Sequence, residues 1–171
     1  KIQMKIMITG CNGQLGNEMR VALTQHPDIE VIYTDVDTLD ITDLAQLDAF
    51  VATKNVSHIV NCAAYTAVDK AEDDEVTATK VNVDAVRNLG AVATKYGIKL
   101  VHISTDYVFG GNCINSPIKE DATTNPLGVY GRTKLMGEEE VIKSGCKYII
   151  IRTAWLYSAY GNNFVKTILR L

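Results

Sequence analysis

Long apolar runs, basic clusters and paired cysteines are all missing from this 171-residue chain. No stretch approaches the ~18 apolar residues of a membrane-crossing helix, and no basic-then-apolar leader opens it, so no membrane partner is expected. Lys and Arg number 17 against 20 Asp and Glu, a formal charge of −3 without any basic run. That argues against nucleic acid or an anionic lipid surface as a partner. Cys11, Cys62, Cys113 and Cys146 are never closer than 33 residues, and no C-x-x-C or His–Cys cluster accompanies them. Neither a zinc site nor a disulfide framework is signalled, and a reducing cytoplasm is the expected location. His26, His58 and His102 share no ligand spacing and read as structural. What is present, 47% hydrophobic and 22% charged residues, is the composition of a soluble globular domain long enough to bury its own core. Met4 reads as the natural start, so Lys1 to Gln3 are assigned no function.

Short runs rich in Ile and Val alternate with longer segments of helical spacing, the pattern of βα units around a parallel sheet. Lys5–Thr9, Glu30–Thr34, His58–Asn61, Lys99–Ser104 and Tyr148–Arg152 are near-continuous hydrophobic runs, as strands buried on both faces should be. Helices are expected over Gln14–Gln25, from an N-cap at Thr42 to Thr53, and from about Asp74 to Tyr96 with Gly97 as left-handed C-cap. Val129–Ser144 and Asn163–Leu171 read as two more. Gly110–Gly128, with its glycines and prolines, reads as an irregular loop over the sheet edge, where function tends to sit.

Directly after the first strand comes Gly10-Cys11-Asn12-Gly13-Gln14-Leu15-Gly16, a G-x-x-G-x-x-G that opens a helix. Residues without Cβ let the turn tighten and a pyrophosphate approach the backbone, and the free N–H groups of the helix start stabilise its charge. Asp35 ends the second strand, placed to accept hydrogen bonds from an adenosine ribose diol. No Lys or Arg follows it until Lys54, which favours NADH over NADPH because a 2′-phosphate would meet Asp35 unneutralised. The plain alternatives are a structural glycine turn and a surface carboxylate. Tyr130 and Lys134 stand four apart on one helix face. A nearby ammonium lowers a phenol's pKa, which suits proton transfer to a carbonyl receiving hydride. A surface pair is the plain alternative here. Position favours chemistry, since the fourth strand delivers Ser104-Thr105-Asp106 at its C-terminal end, where open α/β sheets place ligands. Cys11 and Cys62 read as small space-filling residues.

Taken together these residues resemble the extended short-chain dehydrogenase/reductase superfamily. Four runs, Asn61 to Glu72, Ser104 to Phe109, Tyr130 to Glu138 and Arg152 to Tyr157, resemble its dTDP-4-dehydrorhamnose reductase family across essentially the whole chain. The resemblance implies an α/β fold, a Rossmann-type doubly wound parallel sheet flanked by helices. It implies NAD(P)H-dependent reduction of the C4 ketone of dTDP-4-dehydro-L-rhamnose to dTDP-L-rhamnose, for cell-surface polysaccharide. Residue by residue, it makes Tyr130 the proton donor and Lys134 its partner, which also binds the nicotinamide ribose, and makes Thr105 the hydroxyl on the reacting oxygen. Gly10, Asn12, Gly13, Gln14, Leu15 and Gly16 become the cofactor turn, and Asp40 and Ile41 flank adenine. Ala63, Ala64 and Tyr65 line the cofactor, while Asp106, Tyr107 and Trp155 lie near the sugar nucleotide. Asn82 matches an Asn that stabilises the active-site strand or a water relay. Glu18 matches a Glu that binds Mg²⁺ at a homodimer interface, but its companion carboxylates would lie beyond Leu171, so no complete metal site is expected here. Residues 4–171 are accordingly expected to be an NAD(P)-binding domain incomplete at its C-terminal end, without the small substrate domain.

Two other functions compete. A nucleotide-sugar 4,6-dehydratase or 4-epimerase of the same superfamily is disfavoured by Tyr107, since dehydratases of this type carry an acidic residue after the Thr-Asp pair. A non-catalytic, NADP-binding regulatory subunit of the methionine adenosyltransferase type is disfavoured by intact Thr105, Tyr130 and Lys134.

Overall fold

Strand and helix alternate along the chain in a computed structural model that describes residues 4–111 and 117–171. Five strands, β1 (Lys5–Thr9), β2 (Glu30–Tyr33), β3 (His58–Asn61), β4 (Lys99–Thr105) and β5 (Lys147–Thr153), form one sheet in the order β2-β1-β3-β4-β5. Every pairing is parallel, as the apolar runs require. The helices are α1 (Gln14–Leu23), α2 (Leu44–Ala52), α3 (Val68–Ala71), α4 (Glu75–Thr79), α5 (Ala85–Tyr96), α6 (Val129–Lys143) and α7 (Phe164–Ile168).

Alternation of side chains along the strands divides the core between two faces. Met7, Ile59 and Leu100 pack with Leu47 and Val51 of α2 and Val86, Leu89 and Val92 of α5, all essentially inaccessible. Ile6, Ile8 and Val60 turn to the other face, against Met19 and Leu23 of α1. The chain thus winds doubly, a Rossmann-like α/β architecture. It reverses direction between β1 and β3, and that switch point opens a crevice at the carboxyl ends of the strands.

Four expectations need correction. The N-cap of α2 is Asp43, whose carboxylate accepts from the Gln46 amide at 3.0 Å; the Thr42 hydroxyl is engaged instead with Asp40 at 2.7 Å. The Asp74–Tyr96 helix is not uniform. It starts at the Asp74 cap, passes through a π turn at Lys80–Asp84 and continues as α5 to Gly97, which takes φ +66°. Its end is closed as foreseen, by the Ile98 amide on the Ala93 carbonyl at 2.8 Å. Third, among the described residues β5 lies at the edge of the sheet and is not covered on both faces, with Ile149 59% and Ile151 42% exposed. Fourth, the last helix is only α7, capped by Asn163. Cys113 and part of the Gly110–Gly128 loop lie outside the described residues. The other three cysteines are free, and among the described residues no helix is long and apolar enough to cross a membrane.

Candidate functional site

The crevice is floored by a chain of buried polar groups that crosses three strands. Thr9 Oγ1 donates to Asn61 Oδ1 at 2.6 Å, and Asn61 Nδ2 lies 3.0 Å from His102 Nδ1. Above it, β1 runs into the glycine turn. Gly10 adopts φ +63°, and a Cβ there would stand 2.7 Å from the Ala63 backbone beyond β3. A Cβ on Gly16 would collide with the Gly10 carbonyl, so this residue lets α1 pack tightly on the turn. Gly13 is the N-cap of α1 and offers no side chain to its free amides. Those donors therefore have no side-chain cap among the described residues and border the crevice, a cradle for an anion. Asn17 Nδ2 fixes the turn through the Asn12 and Gly13 carbonyls, each at 2.9 Å.

Two clefts share a wall at Gly13, Cys62 and Ala64. The first, about 270 Å³, is lined by Gly10, Asp35, Asp40, Ile41 and Ala63. Asp35 accepts from the Asn12 amide at 2.8 Å, which couples the end of β2 to the glycine turn. Asp40 is held below the usual carboxylate range by hydrogen bonds from the Thr42 hydroxyl and amide.

The second cleft, about 770 Å³, is lined by Gln14, Leu15, Thr105, Asp106, Tyr107, Tyr130, Lys134 and Trp155. Thr105 ends β4 and caps the turn Asp106–Phe109 by accepting from the Tyr107 amide at 3.2 Å. Tyr130 and Lys134 project from α6, and Tyr107 stands edge-on to the Tyr130 ring with centroids 5.3 Å apart. Lys134, 2% exposed, donates to the Ile103 carbonyl at 2.7 Å; burial brings its pKa down to about 8. The expected lowering of the Tyr130 pKa by Lys134 is not what the geometry gives. Burial raises it, the Thr105 hydroxyl opposes that through a hydrogen bond, and Tyr107 and Asp106 add to the rise. The phenol is therefore protonated at neutral pH, the state a proton donor needs.

Most of the residues singled out from sequence thus converge on one crevice. Asn12, Gly16 and Tyr65 line neither cleft: Asn12 and Gly16 shape the turn, and Tyr65 packs with Ala71, Ala78 and Val129. Trp155 reaches the second cleft with φ +52° and its ring 5.0 Å from Phe164. Glu18 lines neither cleft, and among the described residues no group of three or more His, Cys, Asp or Glu could hold a metal ion. Glu18 alone does not make a Mg²⁺ site.

Asn82, which the resemblance singled out as a strand-stabilising or relay Asn, lies in the π turn and grips the Tyr65 amide at 2.9 Å, the Tyr65 carbonyl at 3.2 Å and the Thr133 hydroxyl at 3.1 Å. Sequence reasoning missed two contributors. Asn163 donates to Gln14 at 3.0 Å, bringing the far end of the chain onto the start of α1. Arg20 of α1 lies 4.2 Å over the Tyr33 ring, so the fold brings a cation to the end of β2 that linear spacing from Asp35 does not reveal.

A parallel sheet whose switch point carries a glycine turn, an uncapped helix start and a Thr–Tyr–Lys set defines a Rossmann-like α/β domain with an anion cradle beside a proton-transfer set. Comparison with known proteins narrows this. Over residues 4–171 the chain matches the family described as the RmlD substrate binding domain, and it belongs to that family. It is 40% identical over 98% of its length to a dTDP-4-dehydrorhamnose reductase of Aggregatibacter actinomycetemcomitans, covering 56% of that protein. A crystal structure of a dTDP-4-dehydrorhamnose reductase from Clostridium acetobutylicum superposes with a TM-score of 0.93 at 48% identity, over 98% of this chain and 59% of that one. Another from Bacillus anthracis, in complex with NADP, gives 0.91 at 40% identity, over 99% and 59% respectively. The chain therefore spans little more than half the length of the relatives it matches.

Proposed function

We propose that in the whole protein this crevice reduces the C4 ketone of dTDP-4-dehydro-L-rhamnose to dTDP-L-rhamnose, using NADH or NADPH with NADH favoured. The observation that carries this reading is that one crevice joins the glycine cradle and uncapped start of α1 to Thr105, Tyr130 and Lys134. A reduced nicotinamide, when bound, supplies the hydride. The chain's own groups do the rest. Amides at the start of α1 neutralise the pyrophosphate, Asp35 accepts from the adenosine ribose, and Asp40 and Ile41 border the adenine. The Tyr130 phenol gives its proton to the emerging alkoxide, Thr105 orients that oxygen, and the Lys134 ammonium offsets negative charge developing in a poorly hydrated site. Asp106, Tyr107 and Trp155 form the wall on which the sugar nucleotide rests.

Tyr130→Phe, made in the whole protein, removes the acid but not the cradle. Dinucleotide affinity is expected to hold while turnover falls by about 10² to 10⁴. Wild-type turnover in this variant would overturn the assignment. Asp35 repels a 2′-phosphate and Arg20 attracts one, so the ratio of kcat/KM for NADH and NADPH tests the cofactor preference directly.

The same reading makes residues 4–171 the cofactor domain, with the substrate-closing domain lying outside it. The isolated chain should then bind dinucleotide but turn over poorly, because one wall alone neither closes over the sugar nor excludes water. We place the whole protein in the cytoplasm, free of nucleic acid and membrane, with a homodimer as its allowed assembly. Ketosugar-dependent oxidation of NADH is the decisive assay: stoichiometric consumption supports reduction, and recycling of the cofactor would support epimerisation or dehydration instead.

A further inference from the structure

Two charged residues in the sequence motifs have no part in the chemistry above, yet the fold pairs them behind it, Glu138 buried and Arg152 half-buried. Glu138 is 2% exposed and stands on α6 one helical turn beyond Lys134, so Tyr130, Lys134 and Glu138 share one stripe of the helix. Its carboxylate accepts from Ser104 Oγ at 2.5 Å, from Arg152 Nε at 2.9 Å and from Arg152 Nη2 at 2.6 Å. Arg152 comes from β5, lies 4.8 Å over the Phe109 ring, and donates through Nη1 to the Glu120 carbonyl at 2.9 Å. Ser104 is the residue before Thr105. The cluster therefore ties the end of β4, the active face of α6, β5 and the segment carrying Glu120 into one unit.

We propose that Glu138 is a positioning residue for Lys134: a buried counter-charge, clamped by Ser104 and Arg152, that keeps the Lys134 ammonium charged. The proposal rests on the reading of Lys134 as the cation of a ketoreductase site. The other ionisable groups around Lys134 do not supply this charge. Cys62, beyond β3, has its thiol pushed up to about 12 by burial and is neutral. His102, on β4, is held neutral, with a pKa near 3. Tyr130, on α6 itself, is a neutral phenol, and Asp106 bears on Tyr130. Burial disfavours the charged form of Lys134, and the attraction of Glu138 is the largest influence working against that. Arg152 sets the strength of the attraction. Without the carboxylate its guanidinium is left uncompensated and repels the ammonium; without Arg152 the carboxylate acts undiminished.

The test is a titration of the whole protein labelled with [ε-¹³C]lysine, the Lys134 signal being assigned by its loss in Lys134→Arg. Glu138→Gln is expected to lower the Lys134 midpoint by about one pH unit, and Arg152→Gln to raise it. A merely structural cluster moves both midpoints in the same direction or neither, and either result overturns the proposal. If Glu138→Gln does not fold, Arg152→Gln still decides, since an unmoved or lowered midpoint refutes it. In active protein the alkaline limb of the kcat profile should follow the two midpoints. A wild-type protein without ketosugar reduction would sink the functional reading while leaving the titration interpretable.

Discussion

Acidification should destabilise this fold through a single imidazole. His102 is fully buried, and its protonation state is set by its neighbours. Asn61 Oδ1 already accepts from Thr9 Oγ1 at 2.6 Å and from the Ala63 amide at 3.2 Å, so its Nδ2 faces His102 and donates to Nδ1. The ring proton then sits on Nε2, which has no hydrogen-bond partner among the described residues. A second proton would have to enter at Nδ1, against an N–H donor, in a dry site where Lys134 also repels it. Burial first and Lys134 second bring the pKa from 6.5 to about 3. Because the folded value is depressed, the unfolded chain takes up the proton first, and stability is lost as pH falls below the unfolded value. Linkage gives a loss of about 1.4 kcal/mol between pH 7.5 and 5.5, and about 2.7 kcal/mol by pH 4.5. Urea unfolding of wild type and His102→Gln at these pH values isolates the effect, because all other titrating groups cancel in the difference. The variant has lower stability throughout but should lack this part of the slope. Parallel pH dependences for the two proteins would show that the imidazole is not held neutral, and would refute the reasoning.

Three further outcomes follow from the geometry. Gly10→Ala places a methyl against the Ala63 backbone at a residue with φ +63°; it should cost about 2 kcal/mol or more and abolish dinucleotide binding in a fluorescence titration. Asn82→Ala strands the Tyr65 amide and carbonyl and the Thr133 hydroxyl. It should cost about 2–3 kcal/mol in urea unfolding and weaken cofactor affinity as the loop after β3 loosens. Trp155→Ala should raise the KM for sugar nucleotide by about tenfold, roughly 1.4 kcal/mol of binding, with dinucleotide affinity unchanged in the same preparation.

What could be read in advance was whatever depends on local spacing. The glycine turn is legible because Gly10, Gly13 and Gly16 each answer a steric demand made within a few residues, and the reach of Tyr130 to Lys134 follows from the pitch of α6. Gly97 is legible for the same reason, its left-handed cap being a local matter. The cap of α2 fell one residue away from expectation because Thr42 and Asp43 are both competent caps, and only the folded loop shows Thr42 already committed to Asp40. Glu138 and Arg152 were invisible as a pair because their partners lie 14 to 34 residues away across different strands and helices. Arg20 illustrates the opposite error. Counting forward from Asp35 ignores a cation that α1 returns to the end of β2. The run in β5 signalled burial that the described residues do not provide, since hydrophobicity reports the tendency to be covered and not what covers.

The π turn at Lys80–Asp84 works as a phase shifter. A turn of this type holds about one residue more than an α turn of similar rise, so it rotates everything on one side of it relative to the other by about 100°. The apolar stripe of α5 faces the sheet, while α4 is turned so that Ala78 faces the pocket of Ala71, Val129 and Tyr65 beside the active helix. Removing one residue from this turn would scarcely shorten the chain. It would swing the Asn82 amide away from Tyr65 and Thr133, and with it the register that brings the loop after β3 to the face of α6 bearing Tyr130 and Lys134.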